Sequence, residues 1–373
     1  MFKAFGIVTS SGRNIYVDGM QDYRPIGAFS FLGRYRVIDF PISNMSNSNI
    51  DRIQVYIKSN PRSLVEHIGT GRHYNINSKS GKVQLLFSEN GNPDDIYNTD
   101  ISCYLENMES LSRMKHPYVV IAPSYMVYSI DFSQLLKTHI ASEADITLLY
   151  HSVNNAKNAF LDCTTLSLNR QKGVTSMELN HGNAEKQNIF MDTYVMKTEL
   201  FIELVKKAKA LSSMYTLADI VGDECKDKNL DIRGVAHKGF FATITDFQSY
   251  YKANMDLLDY KAAQELFHED WPIYTRTNDS CPTQYFDTAE VRNSVISNGC
   301  QIEGTVENSV IGRGCIIKKG AVVKNSVVLA EVTIGEDVIV ENEVVDKWAQ
   351  LIHKKEIISP EDKPGYIRRD DVL

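Results

Sequence analysis

The sequence lacks the marks of several common protein classes. No two of its six cysteines form a C-x-x-C pair, so neither a zinc ribbon nor a thioredoxin-type site is indicated. It has no apolar run of about 18 residues, the length that a membrane span requires, and no apolar leader. The net charge of -7 gives no basic excess for nucleic acid. We therefore expect a cytoplasmic protein with reduced cysteines, and neither nucleic acid nor a membrane as partner.

What is present is an alternation of strand-like and helix-like segments. The chain has 373 residues, which is long enough for two domains. To about residue 265, apolar runs such as 52–57 and 118–121 alternate with helical patterns such as 132–139 and 200–211. This alternation predicts an α/β domain with a largely parallel sheet. We expect one long helix over 246–266 to end it.

A loop of small residues, Thr9-Ser10-Ser11-Gly12, follows the first predicted strand. At the end of a strand in an α/β sheet, such a loop can present backbone N–H groups to phosphate. The same composition is also that of an ordinary turn. From these residues alone, both interpretations stay open.

The last third of the chain contains a repeat. Asn-Ser-Val begins at Asn293, Asn308 and Asn325, at spacings of 15 and 17 residues, and aliphatic residues recur between these points. The pattern predicts a parallel β-helix built from hexapeptide turns, whose open ends favour capping or oligomerisation. Such a helix serves either as an acyltransferase or as an assembly and regulatory module. No histidine occurs over residues 291–345, so the second interpretation is favoured.

Residues 24–40 read Arg-Pro-Ile-Gly-Ala-Phe-Ser-Phe-Leu-Gly-Arg-Tyr-Arg-Val-Ile-Asp-Phe and resemble the glucose-1-phosphate adenylyltransferase (ADP-glucose pyrophosphorylase) family. Further segments that resemble this family follow in order, at 41–48, 65–71, 94–97, 128–132 and 252–258. The resemblance therefore covers nearly the whole chain.

The resemblance implies a nucleotidyltransferase domain, Rossmann-like with a mostly parallel sheet, over residues 1–266. A linker over 267–290 and a left-handed parallel β-helix with a C-terminal tail over 291–373 would follow. Family members convert ATP and glucose 1-phosphate to ADP-glucose and pyrophosphate. They need a glycine-rich loop and a cation for the triphosphate, and carboxylates that hold magnesium.

The first loop departs from the family pattern. By the resemblance, Thr9 and Ser10 replace two glycines, Gly12 is kept, and Asn14 replaces the arginine that neutralises phosphate. A β-branched threonine restricts the backbone and blocks close approach of phosphate. The resemblance therefore implies a degenerate phosphate loop.

The magnesium and sugar-phosphate positions depart from the pattern too. Tyr125 and Thr243 stand where the resemblance places two aspartates, and the family's sugar-phosphate lysine has no counterpart around 177–182. A tyrosine is not a hard carboxylate ligand for magnesium at neutral pH. Asp246 lies three positions from Thr243, and we expect it to cap the following helix.

These losses imply a chain without catalytic residues and without a metal or cofactor of its own. Within the family they resemble GlgD-type subunits, which are non-catalytic partners of a catalytic GlgC-type subunit in mixed tetramers of bacterial glycogen biosynthesis. Magnesium would then serve the partner alone. The alternative is a weakly active adenylyltransferase whose magnesium ligands have moved to Asp94, Asp131 or Asp246.

One further site is implied by the resemblance. Arg34 stands where the family has an effector-binding lysine, and an arginine keeps the charge for a phosphate. Arg34 and Arg36, with basic residues nearer the C-terminus, would bind a phosphate or sugar-phosphate effector. The alternative for Arg34 is a surface ion pair. We expect Asp39 to be structural, and His67 and His73 to hydrogen-bond the Gly-Thr-Gly turn beside them.

Overall fold

The computed structural model describes residues 3–10, 12, 15–77, 79, 81–88 and 97–373. The strands of the N-terminal domain are β1 Ala4–Thr9, β2 Ser30–Phe31, β3 Tyr35–Arg36, β4 Arg52–Ile57, β5 Lys82–Phe87, β6 Tyr118–Pro123, β7 Met126–Tyr128, β8 Ile146–Val153, β9 Thr164–Leu168, β10 Val174–Leu179, β11 Gln187–Lys197, β12 Ile232–Ala236 and β13 Phe241–Thr243. Its helices are α1 Asp39–Asn47, α2 Arg62–Ile68, α3 Asp100–Glu106, α4 Met108–Ser112, α5 Phe132–Ser142, α6 Thr198–Leu211, α7 Leu217–Asp227, α8 Phe247–Asp256 and α9 Tyr260–Leu266.

The main sheet has the strand order β10-β9-β11-β6-β1-β4-β5, with β8 beside β11 and β12 beside β8. Strands β6, β1, β4 and β5 are parallel, as the alternating pattern predicts. Strand β11 runs antiparallel to β6, β8 and β9. The predicted α/β class is confirmed, and the loop after β1 lies at the carboxyl edge of its parallel half, where ligands usually bind.

The predicted single helix over 246–266 is wrong, because the structure has two helices there. Helix α8 ends at Asp256, and the Asp259 carboxylate accepts a hydrogen bond from the Ala262 backbone at 3.3 Å to start α9. An aspartate favours this capping position over a place inside a helix. The predicted cap at Asp246 is confirmed, since its side chain accepts from the Ser249 backbone at 2.7 Å.

The C-terminal third forms the predicted parallel β-helix. Its strands are β14 Gln284–Tyr285, β15 Glu290–Arg292, β16 Val295–Ile296, β17 Gln301–Ile302, β18 Thr305–Glu307, β19 Val310–Ile311, β20 Ile316–Ile317, β21 Val322–Lys324, β22 Val327–Val328, β23 Thr333–Ile334, β24 Ile339–Glu341, β25 Glu343–Val345, β26 Gln350–Leu351, β27 Glu356–Ile358 and β28 Gly365–Ile367. They form three five-stranded parallel sheets, β14-β17-β20-β23-β26, β15-β18-β21-β24-β27 and β16-β19-β22-β25-β28. The first coil thus begins inside the segment 267–290 that was predicted as a linker.

The Asn-Ser-Val repeat has a structural cause. Asn293, Asn308 and Asn325 occupy corners of successive coils with φ of 42°, 45° and 46°, a left-handed conformation that asparagine tolerates better than most residues. The Asn293 amide donates to the Asn308 side chain at 2.8 Å, so the corners also bond to each other. Cys300 and Cys315 stack inside the coils as free cysteines.

The two domains share a hydrophobic core and a buried ion pair. Val310, Val327 and Val344 of the β-helix pack in the same cluster as the residues of β1 and α1. Beside this cluster the Arg24 guanidinium donates to the Asp346 carboxylate, with 4% and 0% of the side chains exposed. Within the described part of the chain, no helix has the length and apolarity to span a bilayer.

Candidate functional site

A cavity of about 670 Å³ opens beyond the carboxyl ends of β1 and β6. Its lining combines hydroxyls, aromatic rings and carboxylates: Thr9, Ser10, Gly12, Ile15, Tyr16, Asp100, Tyr104, Tyr125, Met126, Leu161, Asp162, Cys163, Thr164, Leu179, Phe190, Asp192, Tyr194, Thr216, Ala218, Thr245 and Asp246. We call it the main cleft. A smaller cavity of about 330 Å³ adjoins it and contains Lys58 and Asn60.

The structure brings four of the predicted degenerate positions together in the main cleft. Thr9, Ser10, Gly12 and Tyr125 all line it. Thr9 is the last residue of β1 and pairs with Pro123 of β6, and its carbonyl accepts from the Ser124 backbone at 2.7 Å. Asn14 lies outside the described residues. These four residues of the predicted set therefore lie along the same cavity.

The loop after β1 lies against the carboxylate of Asp100. A methyl group on Gly12 would lie 3.0 Å from Oδ1 of Asp100 and 2.8 Å from Cβ of Thr216. Asp100 is buried at the start of α3, and it accepts backbone hydrogen bonds from Ile101 at 2.9 Å and Leu217 at 3.2 Å. Burial raises the pKa of Asp100 to about 6, so it carries negative charge above that pH. A carboxylate at this distance opposes the binding of a triphosphate on the loop.

Tyr125, at one expected magnesium position, is engaged with another residue of the cleft. Its hydroxyl donates a hydrogen bond to the carboxylate of Asp192. Asp192 sits at a bulge of β11 with a φ of 43°, and the register shift there turns it toward the cleft. The Tyr125 hydroxyl therefore occupies one oxygen, Oδ2, of this carboxylate.

Thr243, at the other expected magnesium position, lies next to Tyr125 but does not line the main cleft. It ends β13 and pairs with Met126 of β7, while the Ile244 backbone donates to the Tyr125 carbonyl at 2.9 Å. Its hydroxyl is buried. Thr245 and Asp246, which follow it, are the residues that reach the cleft.

Two of the three proposed replacement ligands, Asp131 and Asp246, cap helices. Asp131 accepts from the Ser133 backbone at 2.7 Å, and Asp246 caps α8. Asp94 lies outside the described residues. Across 3–10, 12, 15–77, 79, 81–88 and 97–373, no three histidine, cysteine, aspartate or glutamate residues are grouped as a metal would need.

Three carboxylates of the main cleft were not predicted from the sequence. Asp100, Asp162 and Asp192 come from α3, a turn before β9, and the bulge of β11. Asp192 had a signal in the sequence, since it is the one charged residue in the strand-like run 189–196. The other two lie in ordinary polar contexts, and only the fold shows that they meet.

The predicted effector arginines lie at the seam between the domains. Arg34 is exposed over the Tyr35 ring at 5.7 Å, and its carbonyl accepts from Arg313 at 3.3 Å. Arg36 donates to the Ala28 carbonyl at 2.8 Å. Within the described segments, Arg34 forms no ion pair, which disfavours the surface ion-pair alternative.

Lys347 adds a titratable group beside Arg36. Burial, and then the charges of Arg36 and Arg24, lower the pKa of Lys347 to about 7, although Asp346 opposes this shift. Neighbouring cations destabilise the protonated form of Lys347. A bound anion would stabilise that form and so raise the pKa of Lys347. The seam therefore offers cationic side chains from both domains.

Asp39 is structural, as predicted. His67 and Tyr74 each donate to its Oδ1 at 2.6 Å, and the Arg36 backbone donates to its Oδ2 at 2.8 Å. Burial alone would raise the pKa of Asp39, but these partners hold it below its ordinary value. The prediction that His67 bonds the adjacent turn is wrong, because a fully buried carboxylate needs such donors more than an exposed turn does.

Comparisons with known proteins agree with the two-domain fold. Residues 23–260 match the nucleotidyl transferase family model, and residues 282–363 match the model for the GlmU-like C-terminal hexapeptide. A glycogen biosynthesis protein GlgD from Geobacillus stearothermophilus is 28% identical over 86% of this chain and 83% of its own length. Glucose-1-phosphate adenylyltransferases from Fervidobacterium nodosum and Bacillus thuringiensis are each 27% identical, over 92% and 96% of this chain and 83% and 95% of their own lengths.

These matches confirm the family resemblance of the sequence, and they cover the strands of the main sheet other than β1, together with most of the coils. The chain belongs to the nucleotidyl transferase family and carries a C-terminal hexapeptide-repeat β-helix.

Proposed function

We propose that this chain takes part in glycogen biosynthesis as a non-catalytic, activating subunit of ADP-glucose pyrophosphorylase, with a catalytic GlgC-type subunit as its partner in a mixed tetramer. The observation that carries the proposal is the pair of residues at the expected magnesium positions. Tyr125 bonds Asp192, and Thr243 is buried outside the cleft. Its similarity to a GlgD protein and to adenylyltransferases supports the pathway.

Magnesium supplies several kcal/mol of transition-state stabilisation to phosphoryl and nucleotidyl transfer. Each ~1.4 kcal/mol that is lost lowers the rate about tenfold. A cleft without its metal ligands, and with Asp100 beside the loop, retains the shape of a nucleotidyltransferase but little of its rate.

The test is a reconstitution. The chain is co-expressed with the catalytic homologue from the same genome, and pyrophosphate release is measured for each subunit and for the mixture. We expect no turnover from this chain alone, co-purification of the two, and a mixture more active than the homologue alone. An unrelated β-helix protein serves as control. A mixture that matches the homologue in rate and in effector response would contradict the proposal.

The alternative, a weakly active enzyme with relocated ligands, is tested by Asp246→Asn. Asparagine caps a helix about as well as aspartate, so α8 should keep its start while the charge is lost. Magnesium-dependent ADP-glucose formation by the pure chain that Asp246→Asn abolishes would establish this alternative.

We further propose that the seam around Arg34 and Arg36 binds a phosphate or sugar-phosphate effector, and this predicts a pH dependence. Lys347 is protonated below its pKa of about 7 and neutral above it, so anion binding should weaken as the pH rises through 7. Sulfate is a suitable probe, because its own charge stays constant over this range. We expect several-fold weaker sulfate binding at pH 8.5 than at pH 6 by calorimetry.

Two variants control this measurement. Lys347→Met should flatten the pH dependence, whereas Lys261→Met, on the exposed surface of α9, should keep it. Sulfate affinity that is equal at both pH values in the unmodified chain would contradict a role for Lys347.

A further inference from the structure

A group of cationic side chains at the seam between the domains contains one amine without a partner. This seam cluster consists of Arg24 and Arg36 from the N-terminal domain, Lys347 from the β-helix and Arg369 from the C-terminal tail. Lys347 is half-buried, and its backbone N–H donates to Asp346 at 2.7 Å. Its side-chain amine makes no hydrogen bond or ion pair within the described part of the chain.

The buried carboxylate of Asp346 is committed to other donors. Its Oδ2 accepts from the Arg24 guanidinium and from the Tyr366 hydroxyl at 2.8 Å, and its Oδ1 accepts from the Lys347 backbone. One negative charge at the centre of the seam cluster therefore faces three guanidinium groups and an amine.

The guanidinium groups of the seam cluster have donors to spare. Arg24 is 3% exposed, and its Nε–H has no acceptor among the described residues. Arg36 donates to a neutral backbone carbonyl at 2.8 Å. The other carboxylates nearby are engaged, because Asp39 accepts three hydrogen bonds of its own and Asp370 pairs with Arg369 at the exposed surface. The seam cluster therefore lacks both negative charge and hydrogen-bond acceptors.

The same surroundings make the Lys347 amine nucleophilic. Burial, and then the charges of Arg36 and Arg24, lower the pKa of Lys347 to about 7, although Asp346 opposes the shift. At about pH 7.5 such an amine is about three-quarters neutral, whereas an ordinary lysine with a pKa of about 10.4 is about 0.1% neutral. Only the neutral amine has the lone pair that attacks an electrophilic carbon.

We propose that Lys347 is a modification site that reacts reversibly with carbon dioxide to form a carbamate. The Nζ lone pair attacks the carbon of carbon dioxide, a C–N bond forms, and one C–O π pair becomes a lone pair of a carboxylate oxygen. One proton leaves the nitrogen for solvent, so an amine and carbon dioxide give a carbamate anion and a proton, and nothing is oxidised or reduced.

The carbamate supplies what the seam cluster lacks. It turns the amine of Lys347 into an anion with two oxygen acceptors, and the guanidinium groups of Arg24, Arg36 and Arg369 stabilise it by charge and by hydrogen bonds. The site goes beyond the proposed function, since carbon dioxide should modify the isolated chain whether or not it activates a partner.

The test uses the full purified chain at about pH 7.5 with carbon-13-labelled bicarbonate, which supplies dissolved carbon dioxide. The carbamate carbon is detected by NMR, and triethyloxonium then traps carbamates as ethyl esters that peptide mass spectrometry maps. We expect at least about tenfold more trapped carbamate at Lys347 than at Lys261, an exposed lysine of α9, because more of the Lys347 amine is neutral.

Three variants locate the modification. Lys347→Met should abolish the carbamate signal. Arg369→Met removes one cation, which raises the pKa of Lys347 and also removes a partner of the carbamate, so trapping at Lys347 should fall several-fold. Arg368→Met, at the neighbouring exposed position, should leave trapping unchanged. Circular dichroism checks that each variant is folded.

Four outcomes would overturn the proposal. They are no carbamate signal in the unmodified chain, a signal that survives Lys347→Met, trapping at Lys347 that is no greater than at Lys261, and trapping that falls equally in Arg368→Met and Arg369→Met. Any of these beside a successful reconstitution with the catalytic homologue would remove this inference and leave the proposed function intact.

Discussion

Restoring glycine at positions 9 and 10 and arginine at position 14 is expected to leave the chain without measurable ADP-glucose formation. The degenerate loop is only one of the departures from the family's catalytic pattern. Tyr125 would still hold Asp192, Thr243 would still lie outside the cleft, and Asp100 would still face the loop. Without bound magnesium the reaction lacks several kcal/mol of stabilisation, and each ~1.4 kcal/mol is a factor of ten.

A second set of variants separates the loop from the metal positions. Tyr125→Asp with Thr243→Asp is made alone and in combination with the restored loop, and pyrophosphate release is measured with excess magnesium. We expect a gain only in the combined variant, because positioning the triphosphate and neutralising its charge act as a unit. Substantial rescue by the loop alone would show that the metal positions have been misassigned.

Removing the charge of Asp346 is expected to destabilise the protein by about 3–5 kcal/mol. Asp346 is fully buried at the domain seam, where it accepts hydrogen bonds from Arg24 and from the Tyr366 hydroxyl at 2.8 Å. Asp346→Asn keeps the size and the contact with Tyr366 but leaves the buried Arg24 guanidinium without a counter-charge. An uncompensated buried charge is among the most costly single changes. Urea and thermal unfolding of the full chain measure this loss.

The exposed pair of Arg62 and Glu66 provides the matched control. Their side chains are 91% and 60% exposed, so Glu66→Gln should leave the unfolding midpoint nearly unchanged. The double variant Arg24→Met, Asp346→Asn should recover part of the loss, because no buried charge then remains unpaired. If Asp346→Asn were no more destabilising than Glu66→Gln, the pair would not hold the seam.

Local features of the fold were readable from the sequence. Strand β4 has the predicted bounds Arg52–Ile57, because its β-branched and aromatic residues lie between turn-forming segments. The caps at Asp131 and Asp246 were also predictable, since a capping carboxylate bonds residues two or three positions away. The break after Asp256 was missed because Leu257 and Leu258 continue the apolar pattern, while only Asp259 signals the restart.

The sequence by itself determined the two domains, the repeating coils and the absence of carboxylates at positions 125 and 243. These follow from periodicity and from residue types at fixed positions, which do not depend on distant contacts. Only the tertiary structure decided what the cleft contains. Asp100, Asp162 and Asp192 are far apart in the chain, and they meet because the strand order places β9 and β11 beside β6 and β1, with α3 at the same edge. Charge in a cavity is a sum over neighbours in space, so the fold alone gives the main cleft its acidic lining.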